Sequence, residues 1–268
     1  MSKKVFTDVL LYLAVFVAIQ FAVNAIAAFA CQTHSFTPMV GIVCNIISSA
    51  LTIALFVWRR WTPVGSGYIN QRPWFTLFWV VCLAVGACTP LSFAIEQAGI
   101  TLSDSDVQLF KGIMQHDLGY LAVGVLAPIA EEMIFRGAIL RRLLDTMGKR
   151  REWVAITATA LLFAVVHGNM AQGINAFVLG LLLGWMYTRT RSLVPGVAMH
   201  LTNNTISFIS FRLFPDSADK TIVELYGGNM THVWLAVGYS LLIFLAALYQ
   251  LNKRLQPCPT APQKTNKK

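Results

Sequence analysis

Residues 9–58 read VLLYLAVFVAIQFAVNAIAAFACQTHSFTPMVGIVCNIISSALTIALFVW, with no Lys, Arg, Asp or Glu from end to end. A membrane-crossing helix needs about 20 predominantly apolar residues, so this stretch is long enough for two. Its one polar break, THSFTP at 33–38, divides it into spans near 9–30 and 38–58. These two segments read as a helical hairpin in lipid. The first run exceeds the roughly 7–15 apolar residues of a cleavable signal, so it is expected to stay as the first span.

Composition agrees with that reading. Of 268 residues, 56% are apolar and 12% charged, where a soluble domain carries about a quarter charged. The mean hydropathy is +0.60. The five cysteines (Cys31, Cys44, Cys82, Cys88 and Cys258) are odd in number, mostly lie in apolar runs and form no CxxC. They read as small hydrophobes, not as a disulfide framework or a metal knuckle.

A third span is expected from about Trp74 to Ile95, then a polar, acidic outer loop over 96–117 with one short surface helix. A fourth span begins near Leu118 and passes Glu131 and Glu132 toward Arg141. The stretch Val154 to Thr188 is too long for one crossing and breaks at His167-Gly168-Asn169 and Gly173, giving spans five and six. Span seven starts near Ser192, with Pro195 in its first turn, where Pro is tolerated. Span eight runs from about Val233 to Leu251. The expected fold is therefore an all-α integral membrane protein of about eight transmembrane helices. Residues 1–117 hold three N-terminal helices and the outer loop, 118–211 a core, 212–252 an outer loop and the last helix, and 253–268 a disordered basic tail.

Eight spans put both termini on one side, and charge chooses the side. With a cytoplasmic N-terminus, 18 of the 21 basic residues fall on inner segments. Only Lys111, Arg212 and Lys220 fall outside, together with seven acids. That is the positive-inside pattern of a multi-pass cell-membrane protein. The net charge of +9 is thus topogenic, and no nucleic-acid surface is expected. The anticipated partners are the lipid bilayer and a peptide or protein substrate in or at the membrane.

Ionisable residues at bilayer depth cost about 2.5–3.5 kcal/mol each and are functional candidates by default. Glu132 and Arg136 stand i,i+4, one turn apart on one helical face. Glu131 lies about 100° away around the helix and points elsewhere. Pro128 removes the helical hydrogen bond to the carbonyl of Gly124 and is expected to kink the span. Measured from the cytoplasmic helix ends, Glu131 sits at roughly 15 Å, His200 at roughly 12 Å, Asn204 at roughly 18 Å and His167 at roughly 21 Å. Three spans thus bring polar groups to overlapping depths, as one shared site requires.

Three motifs carry these residues: EEMIFR at 131–136, FAVVH at 163–167 and HLTNN at 200–204. In order and spacing they resemble the EExxxR, FxxxH and HxxxN motifs of the CAAX-protease and bacteriocin-processing family of intramembrane glutamic proteases. The resemblance covers about residues 118–211 and leaves the first three spans uncovered. It implies an endopeptidase needing no metal or cofactor, in which Glu131 activates a water and His167 helps hold it. His200 and Asn204 would donate to the oxyanion, while Glu132 and Arg136 orient the site. In eukaryotic relatives the substrate is a prenylated C-terminal CAAX protein. The sequence does not name the substrate; a bacterial source, which the lack of a eukaryotic targeting signal suggests, would favour a peptide pheromone, bacteriocin leader or membrane protein.

Each residue also has a plainer reading. Glu132 and Arg136 would be a structural ion pair, and Glu131 a residue snorkelling to the interface. His167 would cap the turn between spans five and six, and His200 and Asn204 would serve interhelical hydrogen bonding. Phe163 reads as packing. His34, His116 and His232 read as surface residues, and Trp58, Trp61 and Trp74 as an interfacial belt. Two other functions compete: a zinc hydrolase using two His and one Glu, and a non-catalytic immunity factor or proton-coupled transporter. Against the zinc reading, the chain has no HExxH; against transport, it has no internal repeat.

Overall fold

The computed structural model describes residues 3–31, 37–215 and 220–256. Among them the chain is helical, with no strand. In order come α1 (Lys3–Cys31), α2 (Pro38–Trp58), α3 (Trp74–Gln97), α4 (Asp104–Gln115) and α5 (Asp117–Met147). They are followed by α6 (Glu152–Val165), α7 (Met170–Thr190), α8 (Val194–Leu213), α9 (Ile222–Leu225) and α10 (Met230–Arg254). Six of these, α1, α2, α3, α5, α7 and α10, are long and apolar enough to cross a membrane.

All eight expected segments are helices, and the two outside the set of six have physical reasons for it. Helix α6 has 14 residues, which rise only about 21 Å against a hydrocarbon core of roughly 30 Å. Helix α8 is long enough at 20 residues, but its His200, Thr202, Asn203, Asn204 and Thr205 lower its hydropathy. Both belong to the motif-bearing part of the chain.

Helix α5 is the central element: half of its most apolar window is buried inside the protein, against 17% for α1 and α10. Aromatic and aliphatic side chains of α1 and α2 (Tyr12, Phe16 and Phe56) pack against Phe135 and Ile139 of α5. On the other side, α3 and α10 run antiparallel, with α7 and α8 against them through Leu83, Leu183, Met199 and Leu251. Lipid tails are as apolar as leucine, so close backbone approach drives such pairs. Gly86 makes one: a Cβ there would lie 2.5 Å from the backbone nitrogen of Phe244.

Residues 96–117, expected as an outer loop, do carry a short helix, α4, capped by Ser103, whose Oγ accepts from the Asp106 N–H. Asn169 caps α7 in the same way, accepting from Gln172, and so closes the expected turn after His167. Pro195 sits in the first turn of α8. His116 and His232 are exposed; His34, Cys258 and the tail from residue 257 lie outside the described residues. Lys253 and Arg254, expected to begin the tail, instead form the last turn of α10, where cations complement the C-terminal end of the helix dipole. Cys44, Cys82 and Cys88 form no disulfide. Trp58 and Trp74 are exposed, but Trp61 departs from the belt reading. It is half-buried between Tyr12 and Phe56, with ring centroids 5.0 and 5.1 Å away.

Candidate active site

The site is built on an irregular helix. Helix α5 is wound wide, in the π manner, over Tyr120–Leu126 and again over Met133–Leu140. Such segments concentrate at functional sites. The regular turn between them, Ala127–Glu132, holds both glutamates. Pro128 explains the first irregularity, with a change from expectation. The N–H of Ala127 bonds to Ala122, five residues back. In that register the carbonyl facing Pro128 belongs to Val123, not Gly124. Pro128 has no N–H to offer, and the carbonyl of Val123 accepts from Asn204 Nδ2 of α8 at 2.8 Å.

The two adjacent glutamates occupy different surroundings. Glu132 is fully buried and pairs with the equally buried Arg136, Oε1 to Nη1, at 2.8 Å. The same oxygen takes His200 Nδ1 at 3.1 Å. A carboxylate paired with arginine accepts only, so Nδ1 carries the hydrogen. His200 Nε2 then turns to Glu131 Oε2 at 3.6 Å, just beyond hydrogen-bond length. Glu131 keeps 21% of its side chain accessible, against 0% for Glu132. It does not snorkel away from the cluster. Glu132 Oε2 and Arg136 Nε have no hydrogen-bond partner among the described residues. Gly196 gives Glu132 its room, because a Cβ there would lie 2.8 Å from Oε2. Arg136 also donates from Nη2 to the carbonyl of Gly180 at 3.3 Å.

Phe163 proves more than packing. Its buried ring lies under the Arg136 guanidinium at 4.6 Å and meets His200 edge-on at 5.7 Å. It also meets His167 edge-on at 4.8 Å. One aromatic ring thus seats a cation and two imidazoles. His167 stands in the turn after α6, with Nδ1 on the carbonyl of Phe163 at 2.7 Å. That carbonyl can only accept, so Nδ1 carries the hydrogen and Nε2 stays open. The turn-capping reading of His167 therefore holds, and the cap fixes which nitrogen is available.

Of the six sequence-derived residues, Arg136, Glu132, His200 and Glu131 follow one another in a chain of contacts in that order. His167 joins them through Phe163. Asn204 lies one turn beyond His200 and is anchored to α5 by the bond from its Nδ2 to the Val123 carbonyl, while its Oδ1 accepts from the neighbouring Asn203 Nδ2 at 3.2 Å. Its amide uses one hydrogen on Val123 and retains a second. The residues that sequence reasoning missed are Gly196, Gly180 and the carbonyl of Val123. Gly196 was legible, four residues before His200 on the same helical face. The other two act through backbone oxygens and leave no trace in residue type. Among the described residues no three His, Cys, Asp or Glu side chains are disposed to hold a metal ion.

Fold and site together define a multi-pass helical membrane protein with a buried Glu132–Arg136–His200 cluster at its centre, flanked by the partly accessible Glu131 and His167. Residues 116–206 match the family described as Rce1-like, type II CAAX prenyl endopeptidase Rce1-like. The match spans α5 to most of α8, so it contains every residue of the cluster. It supports an intramembrane endopeptidase of the CAAX type in general terms. No curated protein and no solved structure matches the chain.

Proposed function

We propose that the protein hydrolyses a peptide bond of a membrane-associated peptide or protein, using water activated by Glu131 and no metal. The observation that carries this reading is the unequal treatment of the two glutamates. Glu132 is sealed and neutralised by Arg136, while Glu131 alone keeps accessible surface. A general base must reach a water; an orienting carboxylate need not.

In the proposed reaction Glu131 removes a proton from water as the oxygen adds to the scissile carbonyl carbon. The carbonyl electron pair moves to oxygen and forms an oxyanion. Two donors meet it: the second amide hydrogen of Asn204, and His200 Nε2 in the imidazolium form, whose second proton is taken from solvent before the substrate enters and stays on the ring through the cycle. Fixed donors in a dry site stabilise such a charge without reorganising. Glu131 then passes its proton to the departing nitrogen, the C–N bond breaks as the oxyanion re-forms the carbonyl, and a carboxylic acid and an amine leave with Glu131 again a carboxylate. His167 offers Nε2 to the attacking water. Glu132, held by Arg136, fixes the tautomer and tilt of His200.

The test uses purified protein in lipid nanodiscs with a quenched fluorogenic peptide ending in farnesylated Cys-Val-Ile-Met, the substrate type that the family's description names. Glu131→Gln should abolish cleavage while leaving the protein folded, and chelators should leave the wild-type rate unchanged. Undiminished cleavage by Glu131→Gln would sink the proposal. Placement in the cell membrane with both termini cytoplasmic rests on the charge pattern. Reporters fused to each end should both read as cytoplasmic; opposite readings would reject that topology.

A further inference from the structure

The connection from α2 to α3 lies outside the matched segment, yet it reaches α5 next to the carboxylates. Beyond Trp58 the chain reverses. Arg60 takes a left-handed φ of 55°, and the N–H groups of Trp61 and Thr62 turn back to the carbonyl of Phe56 at 3.0 and 3.5 Å. Wedged between Tyr12 and Phe56, Trp61 fixes the reversal. Thr62, only 2% exposed, ends against α5, where its Oγ1 donates to the carbonyl of Met133 at 2.5 Å. Gly137 makes this approach possible, since a Cβ there would lie 2.3 Å from Thr62 Cγ2. Arg141 closes the contact, donating from Nη2 to the carbonyl of Trp61 at 2.9 Å and from Nε to that of Gly137 at 2.8 Å. Two carbonyls of one wide-turn segment, Met133 and Gly137, thus receive side-chain donors.

The location matters. Met133 directly follows Glu132 and begins the Met133–Leu140 segment, and Arg136 lies inside it. A wide turn holds about one residue more than a regular one. Tightening it would rotate the remainder of α5 by about 100° relative to Glu132. Glu132 and Arg136 stay i,i+4 neighbours in either winding, but the rotation would pull the Arg136 guanidinium off the Phe163 ring and the Gly180 carbonyl, and drag the Glu132 carboxylate it holds out of line with His200. A side chain inserted into the helical ladder is a recognised way to hold such a distortion.

We infer that Thr62 is a positioning residue of the site: its hydroxyl holds the Met133 carbonyl and so fixes the winding of α5 that seats Arg136 on Phe163 and the Gly180 carbonyl, and through Arg136 the Glu132 carboxylate that holds His200. Its effect on turnover rests on the proposed endopeptidase reading; its effect on His200 does not. The strap touches no reacting atom and acts only through α5.

Thr62→Val removes the hydroxyl at nearly constant volume, and Thr62→Ser keeps it. In protein labelled with ¹⁵N-histidine, Thr62→Val should shift the His200 ring-nitrogen resonances, and Thr62→Ser should leave them in place. With the farnesylated fluorogenic peptide, Thr62→Val should lower kcat on the order of 100-fold at unchanged KM, while Thr62→Ser keeps the wild-type kcat. If Thr62→Val does not fold, Thr62→Ala takes its place in the same comparison. Unshifted His200 resonances in the hydroxyl-free variant, or a serine variant behaving like it, would overturn the inference. A wild-type protein that cleaves nothing would defeat the endopeptidase reading alone, and the resonances would still judge the strap.

Discussion

Replacing Glu132 with Gln would leave the Arg136 guanidinium, 1% exposed, as an uncompensated charge in the middle of the protein. Removing one partner of a buried pair costs about 3–5 kcal/mol, because the remaining charge has lost both water and counterion. Arg136→Met should cost a similar amount by stranding the carboxylate of Glu132. It also gives up the guanidinium over Phe163 and the bond to the Gly180 carbonyl. The double variant buries no net charge, so its loss should fall well short of the sum of the two. Magnitude then separates an ion pair from ordinary interhelical hydrogen bonding. Coupling across neutral hydrogen bonds in membranes averages about 0.6 kcal/mol, whereas closely packed charged groups couple by up to about 3 kcal/mol. The measurement is a double-mutant cycle on reversible unfolding in mixed micelles. A coupling above about 2 kcal/mol agrees with the 2.8 Å pair and with the range for such couplings. Strictly additive single variants would refute the argument that neutralisation by Arg136 keeps Glu132 buried.

Gly196→Ala places a methyl 2.8 Å from Glu132 Oε2; overpacking of this kind costs about 1–3 kcal/mol. It should also lower kcat by tilting the seat of His200, and kinetics beside thermal unfolding check both. Asn204→Ala orphans the Val123 carbonyl and should destabilise by about 1–3 kcal/mol. In a Pro128→Ala background the restored N–H can take that carbonyl, so the same substitution should cost less; an equal cost would refute the register assigned to α5. At the other end of the molecule, the N–H and hydroxyl of Thr221 both donate to Glu224 Oε2 and hold its pKa below the ordinary glutamate value. The cap on α9 should therefore be complete above that ordinary value. It should be lost only as pH falls through the lowered one, read as amide-exchange protection at Thr221 and absent in Glu224→Gln.

Residue type and order alone determined the helical membrane class, because a bilayer penalises every unpaired backbone group and every charge, and that penalty is written in composition. Apolar runs, free of charge in every case but the fourth with its Glu131, Glu132 and Arg136, located all eight helical segments to within a few residues at most ends. The expectation weakened where hydropathy and length part company: α6 is too short and α8 too polar to register as crossings by the same measure. The three motifs also named the cluster, since ionisable residues at bilayer depth have few other reasons to exist. Sequence spacing could pair Glu132 with Arg136, which are neighbours on one helical face.

The tertiary structure decided what depends on other helices and on backbone geometry. The pairing of His200 with Glu132 joins α8 to α5 and is dictated by no spacing. The wide turns of α5 moved the carbonyl facing Pro128 from Gly124 to Val123, because hydrogen-bond register is a collective property of the helix and its neighbours. The seat that Phe163 gives to Arg136, His167 and His200 exists only once α6 is packed. Trp61, which composition assigns to the interface, is drawn inward by Tyr12 and Phe56. It carries Thr62 to Met133, a contact across 71 positions that only packing can make.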